Sequence, residues 1–369
     1  MPEKEIQQHQ LFISSIRLWL KLIVQNKISR KRIWMFNKIS LFVIFSAPFR
    51  WIQAIYLLFK LPSVSIKDKP PVFVIGHWRS GTTHLHYLLA QDKQFSYLEA
   101  FQAFFFRVAF ISRTFMWPIL NYFMPKTRPQ DDIKIDAGAP TEEEHCLTNL
   151  TEKSGMQTFF FPKNRSYYDK YNIFLNTKKW EKESWKRAYN KMLLQIALYQ
   201  GKEKTLLLKN PHNTGRIKVL LELYPDAKFI FIHRNPYDVY LSNIHLYNKT
   251  IKSQFLQEFN DEQIKERVLY CYETTLKKYL EEKSLINKDK LIEISYKELS
   301  DMPVETISKI YDKLSLGDFN KVKEKIEIYL KNLGVYKKNK FNNIDIQTKL
   351  EINKRWEFSF KKWKYKIDN

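Results

Sequence analysis

Residues 70–89, PPVFVIGHWRSGTTHLHYLL, constrain this chain more than any other stretch. A prolyl pair is followed by four apolar residues, Val72, Phe73, Val74 and Ile75. They run into Gly76-His77-Trp78-Arg79-Ser80-Gly81-Thr82-Thr83, after which apolar residues recur at helical spacing. The pattern is that of a buried strand, a tight loop and a helix. Gly76 and Gly81 are spaced as in the phosphate-cradling sequence G-x-x-x-x-G-K-[ST], in which loop amides and a helix N-terminus collect an anion. Thr82 occupies the lysine position, however, and the cation has moved inside the loop as Arg79. A P-loop kinase sets that lysine on the β- and γ-phosphates and a hydroxyl on Mg²⁺. An arginine within the loop instead forks onto a phosphate and the oxygen that bridges it to a leaving group, which suits a transferable group of lower charge than phosphoryl. Sulfuryl is such a group.

A second stretch, KFIFIHRNPYDVYLSN at 228–243, reads as a buried strand that delivers His233 and Arg234 at its C-terminal edge. Ligands bind at that edge in open α/β sheets. Asn235-Pro236 turns the chain into a helix that carries Ser242 eight residues after Arg234, so that a hydroxyl two turns in lies beside a cation. This is a second anion site, and two anion sites for one ligand imply a bisphosphate.

Strand and helix signals alternate around these stretches. Strands are expected at 72–75, 205–209, 228–233 and 291–295, and helices at 83–91, 214–223, from 237, and at 304–314, with a long helical and irregular insertion up to about residue 200. Such units imply a parallel sheet with helical crossovers. The chain of 369 residues is divided into a helical N-terminal extension (1–69), an α/β core (70–320) and a basic C-terminal segment packed on that core (321–369). Cys146 and Cys271 give neither a disulfide framework nor a zinc site, and a reducing cytoplasm fits them best. A formal net charge of +23 attracts polyanions, yet no nucleic-acid signature accompanies it and most lysines read as a solvated surface. In the N-terminal extension, residues 39–59 are nearly all apolar but are interrupted by Pro48, Arg50 and Gln53, leaving too short a run to span a bilayer. With residues 11–24 and the cations Lys27, Arg30, Lys31 and Arg32, this segment reads either as an interfacial membrane contact or as a helical cap on the main domain.

GHWRSGTTHLHYLL resembles the 5′-phosphosulfate loop of the PAPS-dependent sulfotransferases, and FIFIHRNPYDVYLSN resembles their 3′-phosphate motif, with Arg234 and Ser242 on its arginine and serine. ISYKELSDMPVETISKIYDKLSL at 294–316 is similar to the family's tyrosine–acidic–leucine segment, and RPQDDIKIDAGAPTEEEHCL at 128–147 to the proline-then-glutamate signature of a bacterial branch. Two departures are Arg79, where the well-studied cytosolic members have lysine, and His84, where they have a tryptophan beside the adenine. The resemblance implies a P-loop-like sulfotransferase fold, a parallel β-sheet flanked by helices. It also implies sulfuryl transfer from 3′-phosphoadenosine 5′-phosphosulfate (PAPS) to an acceptor hydroxyl, without a metal. Arg79, Ser80, Gly81, Thr82 and Thr83 are then the 5′-phosphosulfate site, and Arg234 and Ser242 the 3′-phosphate site.

An alcohol loses its proton as it attacks sulfur, so a base must stand within hydrogen-bond reach of it. His212 resembles the family's catalytic histidine in position; its alternative is a strand-end histidine that caps the next helix. Glu142, Glu143 and Glu144 beside His145 are the other candidate, with Glu142 and Glu144 taken first and a solvated helix start as the alternative, and Glu99 is a third. His77, His86 and His245 read as structural or surface residues. The aromatic series Phe101, Phe104, Phe105, Phe106, Phe110, Phe115 and Trp117 suits a sterol or other lipid alcohol, or else forms ordinary core. The expected enzyme is cytoplasmic or peripheral at the inner membrane face, its partner a small-molecule or lipid acceptor. A P-loop nucleotide kinase and a non-catalytic nucleotide sensor are the competing readings.

Overall fold

In the computed structural model, which describes residues 9–125, 127, 135–333 and 344–368, five strands form one parallel sheet in the order β2-β3-β1-β4-β5. Parts of the expected proline-then-glutamate stretch and of the basic C-terminal segment lie outside the described residues. The four strands expected from apolar runs are present: β1 (Val72–Ile75), β3 (Thr205–Lys209), β4 (Lys228–His233) and β5 (Leu291–Ser295). The edge strand β2 (Phe95–Ser96) was not expected, because two residues carry no periodicity.

Helices α1 (Ile16–Gln25), α2 (Ile33–Phe45) and α3 (Ala47–Lys60) precede β1. After it come α4 (Thr82–Leu89), α5 (Ala100–Phe105), α6 (Ala109–Phe123), α7 (Glu144–Leu147), α8 (Arg165–Ile173) and α9 (Lys179–Gln200). Next are α10 (Ile217–Leu223), α11 (Pro236–Leu246), α12 (Lys252–Gln254), α13 (Asp261–Glu282), α14 (Tyr296–Asp301) and α15 (Pro303–Leu314). The helix expected from residue 214 begins later. Asn210 accepts the His212 amide through its side chain at 3.1 Å and starts a 3₁₀ turn, Pro211–Gly215, ahead of α10.

The chain divides into two compact units that differ from the expected three-part division. One holds the described residues of Met1–Ser65, Leu98–Lys202 and Tyr247–Asn260, so the N-terminal helices fold together with the long insertion. Its core joins Leu18, Leu22, Met35, Ile39 and Val43 of α1 and α2 to Phe160, Phe161, Tyr168 and Leu256. A second cluster gathers Phe101, Ala109 and Leu120 of α5 and α6.

The other unit holds the described residues of Ile66–Tyr97, Glu203–Leu246 and Asp261–Asn369, and contains the sheet. Strand residues alternate between its faces. Val72, Val74, Ile230, Ile232, Ile292 and Ile294 share one core with Leu85 and Leu88 of α4 and Ile307 and Ile310 of α15. Phe73, between them, places its ring 5.4 Å from Phe229, and Phe231 stacks on Tyr279 at 3.8 Å. Burial on both faces is why these strands read as continuous apolar runs. The C-terminal segment reaches the same sheet, with Trp363 stacked 5.0 Å from His233 and the Tyr365 hydroxyl 2.7 Å from His233 Nδ1.

The connection from β1 leads toward β3 and β2, and that from β4 toward β5, so adjacent strands β1 and β4 send their chains in opposite directions. A crevice at the carboxyl ends of two such strands is where open α/β sheets bind ligands. Two glycines shape it. A Cβ on Gly76 (φ 148°) would lie 2.4 Å from the Ile232 carbonyl oxygen, and one on Gly81 (φ 99°) 2.4 Å from Tyr296 Cδ2. Gly81→Ala is therefore expected to cost at least about 2 kcal/mol in chemical denaturation. Gly317→Ala, also at positive φ but with its nearest neighbour 4.0 Å away, should cost only about 1 kcal/mol. Equal losses would contradict the close packing of the loop on Tyr296.

Candidate active site

β1 ends at the glycine that closes the loop. The Gly76 amide donates to Thr214 Oγ1 at 2.8 Å, and the Thr214 hydroxyl donates back to the Gly76 carbonyl at 3.1 Å. The turn is held by the Ser80 amide on the His77 carbonyl, at 3.1 Å. Arg79 sits at φ 71°, a left-handed conformation uncommon for a residue with a side chain and typical of functional turns. Gly81 supplies no side chain to cap α4, so amides of the first turn of that helix are directed at whatever occupies the loop.

α11 supports this loop from the other strand. Arg79 Nε donates to Ser242 Oγ at 2.8 Å, and Asn243 Nδ2 donates to the Trp78 carbonyl at 3.1 Å. Arg234 Nη1 lies 3.4 Å from the Arg79 carbonyl, its Nε is 3.2 Å from Asp238 Oδ2, and its guanidinium stacks over the Tyr296 ring at 4.6 Å. Arg79, Arg234 and Ser242, chosen from two separate stretches of sequence, thus meet in one place. Two guanidinium groups and a string of loop amides make a strongly anion-attracting crevice.

His212 belongs to the same unit. It is buried on the turn after β3, edge-on to the Trp78 indole at 4.6 Å, and it is Asn210, not His212, whose side chain caps that turn. His77, also buried, has Nδ1 3.0 Å from the Trp78 carbonyl and its ring 5.0 Å from Tyr272. Desolvation pushes its pKa down to about 3, which keeps it neutral and suits the structural part expected of it. Burial likewise lowers His84, to about 4, so that ring is neutral near neutral pH.

The acidic candidates lie in the other unit. Glu144, at the start of α7, accepts from the Ser154 hydroxyl at 2.7 Å and the Gly155 amide at 3.2 Å, which ties it to the local backbone. Glu143, the middle residue of the candidate run, is fully buried and accepts from the Tyr189 hydroxyl at 2.9 Å. Desolvation above all, with the adjacent Glu144 and Glu142 charges, pushes its pKa up to about 7, where a general base works best. A sequence signal was available: Glu143, Cys146 and Leu147 stand at i, i+3 and i+4, and all three are buried. Glu142 is half-buried. Glu99 pairs with Arg113 at 2.9 Å, and that guanidinium lies over the Trp117 ring at 4.2 Å. Among the described residues, no cluster of His, Cys, Asp or Glu could hold a metal ion.

Residues 70–320 match the model of the sulfotransferase family. The chain belongs to that family. This sulfotransferase is 29% identical over 343 residues to the omega-hydroxy-beta-dihydromenaquinone-9 sulfotransferase Stf3 of Mycobacterium bovis and of Mycobacterium tuberculosis, an alignment that covers 92% of this chain and 86% of theirs. Among solved structures, it is similar to sulfotransferase STF9 from Mycobacterium avium, with TM-score 0.67 and 17% identity over 86% of this chain and 82% of that one. Sulfotransferase STF1 from Mycobacterium tuberculosis gives TM-score 0.61 and 17% identity over 86% of this chain and 87% of that one. With these structures the chain shares the P-loop-like sulfotransferase fold, here five parallel strands with flanking helices.

The buried Glu143 carboxyl gives the sulfotransferase a pH dependence of known sign. Below about pH 4.5 it is protonated in folded and unfolded chains alike. Between 4.5 and about 7 the folded chain keeps a proton that the unfolded chain has released, so stability falls as pH rises, by at most about 3 kcal/mol in all. Glu143→Gln keeps an acceptor for Tyr189 and should abolish that decline, leaving the variant more stable than the parent at pH 8. Unfolding free energies that fall equally between about pH 5 and 8 in both proteins would contradict it.

Proposed function

We propose that this sulfotransferase moves the sulfuryl group of PAPS to the hydroxyl of a lipid. The observation that carries the proposal is the 2.8 Å hydrogen bond from Arg79 Nε to Ser242 Oγ, which sets the loop cation beside the hydroxyl of the second anion site. A ligand with phosphate groups at both ends of a nucleoside matches that pairing, and so does the stacking and ion-pair support that orients Arg234. In this reading the amides of 80–83 and Arg79 hold the 5′-phosphosulfate, and Arg234 and Ser242 hold the 3′-phosphate.

As the acceptor oxygen bonds to sulfur, the bond from sulfur to the bridging phosphate oxygen breaks and the electron pair stays with adenosine 3′,5′-bisphosphate (PAP). Arg79 is placed to stabilise that growing charge, and fixed donors in a water-poor site do so at little reorganisation cost. The acceptor proton goes to His212, which lies against Trp78 of the loop; Glu142, Glu143 and Glu144 are the carboxyls to test beside it. Two observations support a lipid acceptor. The Stf3 relatives carry an omega-hydroxylated dihydromenaquinone in their name. In this chain, Phe101 and Phe106 are spent on the core, whereas the half-buried Phe104, Phe105 and Trp117 keep ring surface for an apolar ligand.

Incubation with ³⁵S-labelled PAPS and fractionated lipids and small metabolites tests the whole reading: label should enter a hydroxylated lipid. Label confined to water-soluble products would refute the lipid acceptor. Arg79→Ala should lower turnover far more than PAP affinity, because its contribution grows with charge in the transition state. Arg234→Ala should instead weaken PAP by about tenfold or more, having removed a charge-assisted contact. Equal losses of turnover and PAP affinity in Arg79→Ala would make Arg79 an ordinary binding residue. His212→Ala should fold, bind PAP and lose roughly 10²-fold or more in turnover. If Glu142→Gln, Glu143→Gln or Glu144→Gln shows that loss while His212→Ala stays active, the proton goes to the acidic run.

A further inference from the structure

Thirteen large apolar side chains between Ile33 and Phe59 are exposed, among them Trp34, Leu41, Phe45, Trp51, Leu58 and Phe59. Single exposed apolar residues are ordinary on soluble proteins, but a run of this density marks an interaction surface. We propose that α2 and α3 are a monotopic anchor, which inserts its exposed face into one leaflet of an anionic lipid membrane.

The shape of the pair argues for lipid. α2 buries only the stripe Met35, Ile39 and Val43 and exposes apolar side chains around much of the remaining surface, whereas a protein partner would cover a single stripe. Among the described residues, no single helix is long and apolar enough to cross a membrane; α2 and α3 reach that composition only together, bent by 49°. Each helix also keeps a protein-facing stripe. In α3 it includes Gln53, which donates to the Phe106 carbonyl at 2.8 Å and accepts from the Phe110 amide at 2.9 Å. A pair held along its length in this way lies on the unit with its other side outward, and does not traverse a bilayer.

The helix break is built for a dry setting. Carbonyls freed at a break are hydrated when water reaches them, but in hydrocarbon they need partners from the protein. Here Arg50 turns inward, 5% exposed, and donates to the Val43 carbonyl at 2.8 Å and to the Ser46 hydroxyl, while Ser46 Oγ donates to the Phe42 carbonyl at 2.6 Å. The only charge between Lys38 and Lys60 is thus withdrawn from the apolar face.

Charge then selects the kind of membrane. From Ile6 to Lys67 the sequence has ten lysines and arginines and no acidic residue. Lys27 and Arg30 are exposed ahead of α2, as is Lys31 in an ion pair with Glu258 at 2.8 Å, and Lys60 is exposed at the end of α3, so that cations stand at both ends of the bent pair and the apex is apolar. Anionic headgroups complement that pattern, while a second copy of the chain would oppose it with the same positive charge. This surface does not depend on what the enzyme sulfates.

Flotation of the full chain with vesicles of phosphatidylcholine, with and without one quarter phosphatidylglycerol, tests the proposal. The protein should float with the anionic vesicles, and quencher-bearing lipids should quench Trp34 and Trp51 emission. Leu41→Glu/Phe45→Glu/Phe59→Glu, all at exposed positions, should lower vesicle binding at least about tenfold with an unchanged melting temperature. Arg30→Ser/Lys31→Ser should reduce the preference for anionic over neutral vesicles by on the order of tenfold. No flotation, flotation unaffected by the triple change, or equal binding to both vesicles would overturn the proposal. So would a dimer, stable without lipid, that the triple change dissociates, since the occupant would then be a second copy.

Discussion

The parallel pairing of β1 with β4, from Val72 on Lys228 to Ile75 on Phe231, makes a site out of two segments that lie about 150 residues apart. Because the register is fixed, the loop that leaves β1 and the turn that leaves β4 emerge side by side at one sheet edge. A one-residue slip would bring Phe73 to the Val72 face and separate Gly76 from the Ile232 carbonyl it packs against. The arginine–serine hydrogen bond, the seating of Arg234 on Tyr296 and the Asn243 support of the loop carbonyl all follow from that register.

Burial controls the electrostatics in opposite directions for its two kinds of ionisable group. His77 and His84 are held neutral by desolvation, so the positive potential of the crevice comes from guanidinium groups and amides. Desolvation raises Glu143 instead, and leaves a carboxyl that exchanges a proton close to neutrality.

Much of the sheet was legible because its strands are buried on both faces and therefore spell continuous apolar runs; the four main strands fall where 72–75, 205–209, 228–233 and 291–295 indicate. The two-residue β2 and the 3₁₀ turn after β3 were not, since neither has a period and the latter depends on one Asn210 side chain. Arg79 was read from the loop spacing and Arg234 and Ser242 from the strand edge at 228–243, and the fold places the three side by side. Glu143 was hidden among three identical residues. The buried face of that run is periodic, but the pairing of Glu143 with Tyr189, 46 positions away, is a contact that no local pattern reports. The grouping of the N-terminal helices with the insertion was equally non-local, resting on contacts such as those of Val43 and Leu22 with a core that includes Phe160 and Leu256.

The central claim is that the crevice holds two anionic groups of one nucleotide, one at Arg79 and the loop amides and one at Arg234 and Ser242. Calorimetric titration of the full chain with PAP and with adenosine 5′-monophosphate tests it directly, since the two ligands differ only in the 3′-phosphate. A charge-assisted site for that phosphate predicts that PAP binds about 100-fold more tightly. Equal affinities would contradict the two-anion site and with it the assignment of Arg234 and Ser242.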